Sequence, residues 1–219
     1  EQGLGNEFVK VMLQDAEENL WLGTYGGGLF RMDIDPFELV NVKNGLSDNK
    51  VLGIVSDKQN NLWFAGPGGI SLRYKKSGET KQITTDRGLI SNAVTCLYLD
   101  EKNKKLWYGT ADKGIGVLDM NNLHSVTMND LPNLTGDYIN SISADKFDNI
   151  WISTTLSGVY KYDGNFSQFS TKNGLGHNYV FQTYGDSKGR VWFASHAAVL
   201  NYFKKSNIKE QIGNLGISS

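Results

Sequence analysis

The sequence predicts an all-β fold, a β-propeller of four-stranded antiparallel blades with five blades in this chain. Three observations predict it. The five tryptophans, Trp21, Trp63, Trp107, Trp151 and Trp192, recur at intervals of 42, 44, 44 and 41 residues. Each sits in a set of short apolar runs separated by Gly, Asp and Asn, and the runs become more polar toward the end of the set. No segment shows the 3.6-residue periodicity of a helix, so little or no helix is expected. A rare, bulky residue on a beat of roughly 40 residues marks one unit copied in tandem, because every copy needs the same apolar contact in the same place.

The copies abut as residues 3–44, 45–87, 88–130, 131–173 and 174–215, with 216–219 reading as the start of a sixth. Together, residues 1–219 are read as a single propeller region. Four copies open on Gly-Leu, as at Gly45-Leu46, Gly88-Leu89 and Gly174-Leu175, and the fourth opens on Leu131-Pro132. A first strand follows, for example Val94-Thr95-Cys96-Leu97-Tyr98-Leu99. Six or seven residues before each Trp stands an Asp (Asp15, Asp57, Asp100, Asp145, Asp186) that begins a polar, turn-forming stretch. The second strand carries the Trp and then two small residues, as in Leu20-Trp21-Leu22-Gly23-Thr24 and Ile150-Trp151-Ile152-Ser153-Thr154. Small residues there admit a neighbouring backbone or ring. Gly-Leu, Gly-Ile or Gly-Val starts a third strand at Gly28, Gly69, Gly114 and Gly158, with Ala198-Val199 in the last copy. A polar fourth strand ends each unit, as in Lys81-Gln82-Ile83-Thr84. One such sheet cannot bury its faces alone, and stacking on the next does it. The five Trp residues are therefore read as inter-blade packing rather than as a ligand platform.

Composition narrows the function. The 22 basic and 23 acidic residues are evenly mixed and leave a net charge of −1, so no basic stripe invites nucleic acid. No run of 18 apolar residues is long enough for a membrane span. The single cysteine, Cys96, lies in a first-strand apolar run and reads as a small core residue. His124, His177 and His196 are scattered without metal-ligand spacing, and turns such as Asp145-Lys146-Phe147-Asp148-Asn149 lack the alternation of a calcium loop, so no metal and no cofactor is expected. There is no Gly-x-Ser-x-Gly, Walker loop or paired-carboxylate motif, and no catalytic residue is assigned.

The registered elements together resemble the two-component regulator propeller repeat. Gly45-Leu46 with Asn49 and Val51, Gly88-Leu89 with Asn92 and Val94, Leu20-Trp21-Leu22-Gly23-Thr24 running into Gly26-Gly27-Gly28-Leu29, and Tyr160-Lys161-Tyr162-Asp163-Gly164 carry the resemblance. It implies the periplasmic sensor region of hybrid two-component system histidine kinases, where propellers usually have seven blades and stand before a β-sandwich, a membrane span and a kinase. It implies an oligosaccharide ligand, a neighbouring propeller or β-sandwich domain as partner, and a periplasmic or extracellular bacterial location, although no targeting segment is read in the chain. With five copies ending at repeat junctions, the expectation is a piece of a larger propeller, and a closed five-bladed ring is the alternative. If the ring is open, its edge strands invite self-association, so a homodimer is expected in that case.

Strand alternation puts the loop before the first strand and the loop between the second and third strands at one face, the expected channel mouth. The ligand-binding candidates there are Asn49, Asn92, Asp137 and Asn178 before first strands, and Tyr25, Asp112, Lys113 and His196 after second strands. The recurring Asn and Asp have a plainer reading as turn caps. Tyr25, Asp112, Lys113 and His196 differ from copy to copy, as recognition loops do on a fixed scaffold. Two other functions compete with the sensor. One is a structural or assembly propeller of a cell-surface or secretion system. The other is a propeller lyase or hydrolase in which His196 and Asp112 form a proton-transfer pair.

Overall fold

The computed structural model describes residues 8–32, 38–126, 132, 134–196, 200–205 and 210–215, with backbone alone for 38, 204, 205 and 210–215. The openings of the first and fourth repeats at Gly3 and Leu131, the Ala198-Val199 pair and residues 216–219 lie outside the described residues.

Among the described residues, twenty strands form five four-stranded antiparallel sheets, each drawn from one repeat and each in simple meander order. The first sheet holds β1 (Val9–Gln14), β2 (Leu20–Thr24), β3 (Leu29–Met32) and β4 (Glu38–Val40). The second holds β5 (Gly53–Ser56), β6 (Leu62–Gly66), β7 (Gly69–Arg73) and β8 (Thr80–Ile83). The third holds β9 (Val94–Asp100), β10 (Lys105–Thr110), β11 (Ile115–Asp119) and β12 (His124–Val126). The fourth holds β13 (Ile139–Ala144), β14 (Ile150–Thr154), β15 (Val159–Tyr162) and β16 (Phe166–Phe169). The fifth holds β17 (Val180–Gly185), β18 (Arg190–Ser195), β19 (Leu200–Lys205) and β20 (Glu210–Leu215). Helical structure among the described residues is confined to three single 3-10 turns, at Val42–Asn44, Thr85–Arg87 and Thr171–Asn173.

Two compact units result. One comprises residues 1–110 with 116–127, the other 111–115 with 128–219. In the first unit, Trp21 packs among Leu46, Val51, Ile54 and Phe64 of the second repeat, and Trp63 among Leu89, Val94, Leu97 and Tyr108 of the third. In the second unit, Trp151 is sealed among Leu175, Val180, Phe193 and Phe203 of the fifth repeat, its ring 4.9 Å from that of Phe203. In all three places the indole of one sheet fills the face of the sheet that follows. Burying one indole removes about 200 Å² from water, at most about 5 kcal/mol. Trp21, Trp63, Trp107 and Trp151 are 5 % exposed or less. Trp192 is half-buried and is flanked by Tyr202 and the Arg190 guanidinium instead.

The small residues after the Trp permit this stacking. A Cβ on Gly23 would stand 2.8 Å from Val51 Cγ1 of the next repeat. The Gly-Leu signature also has a geometric cause. Gly45, Gly88 and Gly174 end the three 3-10 turns at φ values of 108°, 82° and 103°, a left-handed backbone that glycine adopts without Cβ strain. The leucines after them, Leu46, Leu89 and Leu175, are buried. First strands are less enclosed than the apolar pattern suggests. Residues of β1 alternate between half-buried and exposed, whereas β6 and β14 are buried throughout.

Candidate functional site

Each sheet has two ends. The turn end carries the β1–β2 type of hairpin with its Asp, and the loop end carries the connections before the first strand and between the second and third.

At the turn end the Asp does more than start a turn. One oxygen of Asp15 accepts from the backbone N–H groups of Glu17 and Asn19, and the other accepts from Trp21 Nε1 at 2.8 Å. The same bond recurs at Asp57–Trp63 (3.2 Å), Asp145–Trp151 (2.9 Å) and Asp186–Trp192 (2.9 Å), so the carboxylate fastens both the hairpin and the indole. Burial raises the Asp15 carboxyl, but the bonds from Trp21, Asn19 and Glu17 outweigh it and hold the group below the usual carboxylate range. At Asp186 desolvation likewise raises and the bonds from Trp192 and Arg190, with the Arg190 charge, lower, leaving it well below that range. The third repeat departs from the pattern. Asp100 stands seven residues before its Trp, not six, and its Oδ2 accepts instead from Asn103 Nδ2 at 2.8 Å.

At the loop end the recurring Asn residues act on the backbone. Asn49 Oδ1 accepts from Val42 N at 2.9 Å, Asn92 Oδ1 from Thr85 N at 2.8 Å and Asn178 Oδ1 from Thr171 N at 2.8 Å. Each thereby fixes the 3-10 turn of the preceding connection. Asp137, in the repeat without the Gly-Leu opening, does a different task. Its two oxygens accept from the N–H groups of Thr155, Leu156 and Ser157, cradling the β14–β15 loop, and it is 4 % exposed. Tyr160 lies beside it. Burial raises its phenol, the Ser157 bond lowers it, and the Asp137 charge adds a further rise, for a net upward shift.

The copy-specific candidates behave otherwise. Tyr25 is 54 % exposed and carries the Lys50 ammonium 3.7 Å from its ring centroid, with Lys50 Nζ also donating to the Tyr25 hydroxyl. Asp112 and Lys113 are exposed on the β10–β11 loop. Among the described residues no hydrogen bond joins Asp112 to His196. His196 is instead the centre of a ring cluster at the loop end of the fifth repeat. Its imidazole lies parallel to Tyr179 (5.9 Å between centroids, 11° between planes), 5.2 Å from His177 and 6.3 Å from Phe181. His177 Nδ1 accepts from Tyr179 N at 2.9 Å, which fixes its ring and leaves Nε2 as the donor of the neutral imidazole. Phe181 is 47 % exposed and His196 is exposed. The sequence singles out His196 but not His177, Tyr179 and Phe181, the rings the structure brings beside it. The histidines that look scattered are 19 positions apart but meet because the loop before β17 returns beside the loop after β18. The alternation of Tyr179 and Phe181 was the available signal: period two puts both on one face.

Among the described residues no group of three or more His, Cys, Asp or Glu is placed to hold a metal ion, and no helix is long and apolar enough to cross a membrane. Desolvation pushes the Cys96 thiol up to about 12 despite bonds from Thr95 and Gly109, which makes it a poor nucleophile at neutral pH.

The meander sheets with an indole docked on the following sheet define a protein of the β-propeller class. Residues 3–26, 45–68 and 174–197 match the family model of the two component regulator propeller, and the chain carries repeats of that type. None of the curated proteins matches the sequence significantly. Among solved structures, the chain is similar to an extracellular domain described as that of the one component system BT4673 from B. thetaiotaomicron (19 % identity, TM-score 0.76, covering 96 % of this chain and 31 % of that one). It is similar to virginiamycin B lyase from Staphylococcus aureus (15 %, TM-score 0.76, 95 % and 69 %). It is also similar to PorZ, a surface component of the type-IX secretion system of Porphyromonas gingivalis (12 %, TM-score 0.69, 97 % and 29 %). The chain thus spans about a third of the length of the B. thetaiotaomicron domain. At these identities the likeness is one of fold.

Proposed function

We propose that this chain is a non-catalytic ligand-binding propeller of a bacterial signalling receptor, acting outside the cytoplasm and recognising an oligosaccharide. The repeat type and the likeness to extracellular domains of B. thetaiotaomicron signalling systems support the sensor class. The observation that carries the ligand class is the Tyr179–His196–His177–Phe181 cluster. Exposed ring faces beside imidazole N–H donors match a sugar, whose apolar face stacks on a ring while its hydroxyls take hydrogen bonds. Tyr25 with Lys50, and Asp112 with Lys113, are further contact candidates on their own loops. Binding signals by favouring one packing of this region against a neighbouring domain or a second subunit, which requires unequal affinity for two arrangements.

Titration calorimetry of the purified chain against a panel of oligosaccharides tests the reading. At least one glycan binds, and Tyr179→Ala and His196→Ala each weaken it by about tenfold or more while leaving the unfolding midpoint in place. Silence across a broad panel sinks it. The similarity to PorZ keeps an assembly role as the second reading, supported if the chain captures a surface protein and no glycan. Turnover abolished by His196→Ala would establish the lyase alternative, which the likeness to virginiamycin B lyase keeps open.

A further inference from the structure

Three of the connections that enter a first strand are built to one plan, and one of them uses a different chemical group. Two residues after the leucine of the Gly-Leu opening stands a side chain that accepts from the backbone N–H two positions further on. In the second repeat it is Asp48, whose Oδ1 accepts from Lys50 N at 2.7 Å. In the third it is Ser91, whose Oγ accepts from Ala93 N at 3.1 Å. In the fifth it is His177, whose Nδ1 accepts from Tyr179 N at 2.9 Å. The scaffold places an acceptor here to close the turn. Of the three, only His177 supplies a ring nitrogen, which accepts only while it carries no proton.

That bond lies beneath the ring cluster. Tyr179 is tied at both backbone groups: its N–H donates to His177 Nδ1, and its carbonyl accepts from His196 N at 2.8 Å. The Tyr179 ring then lies parallel to His196 and 4.6 Å from Phe181. The other ties of this loop are made by amides. Gly176 N donates to Asn201 Oδ1 at 3.0 Å, Gly158 N to Asn178 O at 3.0 Å and Thr171 N to Asn178 Oδ1 at 2.8 Å. The titratable and charged groups nearby come from four places. Tyr179 follows His177 in the loop, and His196 faces it from the end of β18. The β14–β15 loop, joined to Asn178, presents the uncharged Leu156 and Ser157. Behind them the Asp137 carboxylate is occupied by three N–H groups, with the Tyr160 phenol beside it. Lys172 is exposed on the 3-10 turn that Asn178 fixes. Among the described residues no carboxylate bonds or pairs with either imidazole. A proton on His177 Nδ1 therefore replaces an acceptor by an N–H that meets the Tyr179 N–H head-on, and two charged rings 5.2 Å apart repel.

We infer that His177 is a proton-operated latch on the ring cluster. Neutral, it holds Tyr179 against His196 and presents Nε2–H. Protonated, it releases the Tyr179 N–H and the cluster comes apart. The sign follows from the lone pair. The latch is shut above the range in which imidazoles change charge, about pH 5 to 8, and opens as pH falls through it. The inference rests on the sensor reading for what the latch governs, the assembly of the ligand site, while the latch itself is observable with no ligand present.

The test follows the backbone amides of the whole chain by ¹H–¹⁵N spectra and hydrogen exchange at about pH 7.5 and about pH 5.5. Corrected for the intrinsic pH dependence of exchange, the Tyr179 amide loses protection by about tenfold or more in acid, and its signal moves in step with the His177 ring nitrogens. Ala93, held by the Ser91 hydroxyl, keeps its protection, and this comparison needs no variant. His177→Ser copies the third repeat's own residue, so the turn keeps an acceptor and Tyr179 stays protected at both pH values. A glycan that binds at about pH 7.5 binds the native chain about tenfold or more weakly at about pH 5.5, and this ratio disappears in His177→Ser. If no glycan binds, the sensor reading falls and the amides still decide the latch. Constant protection of Tyr179 in the native chain, a loss that persists in His177→Ser, or a glycan affinity that ignores pH while the Tyr179 amide opens overturns the inference.

Discussion

The two ends of the sheets are built on opposite principles. At the turn end the same construction is repeated, with Asp15, Asp57, Asp145 and Asp186 each holding the indole six residues on. At the loop end Asn49, Asn92 and Asn178 fix equivalent 3-10 turns, but the side chains on the loops themselves differ from repeat to repeat. The first presents Tyr25 under Lys50, the fourth closes its loop on Asp137, and the fifth gathers His177, Tyr179, Phe181 and His196. The difference separates what the packing fixes from what it leaves free. A contact that every copy needs is held constant, and residues that nothing in the packing requires are free to differ.

If this division is right, the largest loss of stability follows from removing a docked indole. Trp151→Ala costs about 3–5 kcal/mol, measured by urea unfolding, because its cavity cannot collapse between Phe169, Phe193 and Phe203. Trp192→Ala, at a half-buried ring, costs less than half as much. Equal losses would break the picture of an indole working by docking on the following sheet.

Next in size is the carboxylate lock. Asp145→Ala leaves the Trp151 indole and the Phe147 and Asn149 backbone N–H groups without their acceptor and costs about 2–3 kcal/mol. Asp100→Ala, whose side chain binds Asn103 on an exposed turn, costs about 1 kcal/mol or less by the same measurement.

Acid sharpens the comparison further. The folded carboxyls of Asp15 and Asp186 lie below the ordinary aspartate value of 3.8, so the stability they contribute is complete above that value and is lost as pH falls through it and through the folded pKa. The thermal midpoint should therefore fall between about pH 5 and pH 2, and the Asp15→Asn, Asp186→Asn double variant should show a shallower acid limb. A parallel limb in both proteins would show that the locks do not govern it.

The smallest effects belong to the loop end. Phe181→Ala and His196→Ala, at exposed positions, change unfolding by about 0.5 kcal/mol or less while altering ligand binding. Native Cys96 should resist iodoacetamide at pH 8 and react on unfolding, since its thiol is raised to about 12 by burial.

Much of this molecule was legible in its sequence because the repeat displays the same constraint several times over. A Trp on a 41–44-residue beat, Gly-Leu openings and Asp-started turns are local necessities: an apolar ring to bury, a left-handed backbone position, a hairpin to close. Each is written in adjacent residues, so sheet order and the docking role of Trp21, Trp63 and Trp151 could be read without coordinates. The tertiary structure alone decided which side chains meet across loops. It brought His177 to His196, placed Lys50 on Tyr25 and turned Asp137 inward onto three N–H groups. Such pairs lie 18 to 25 positions apart and answer to no period, because they depend on how separate loops fall together in space.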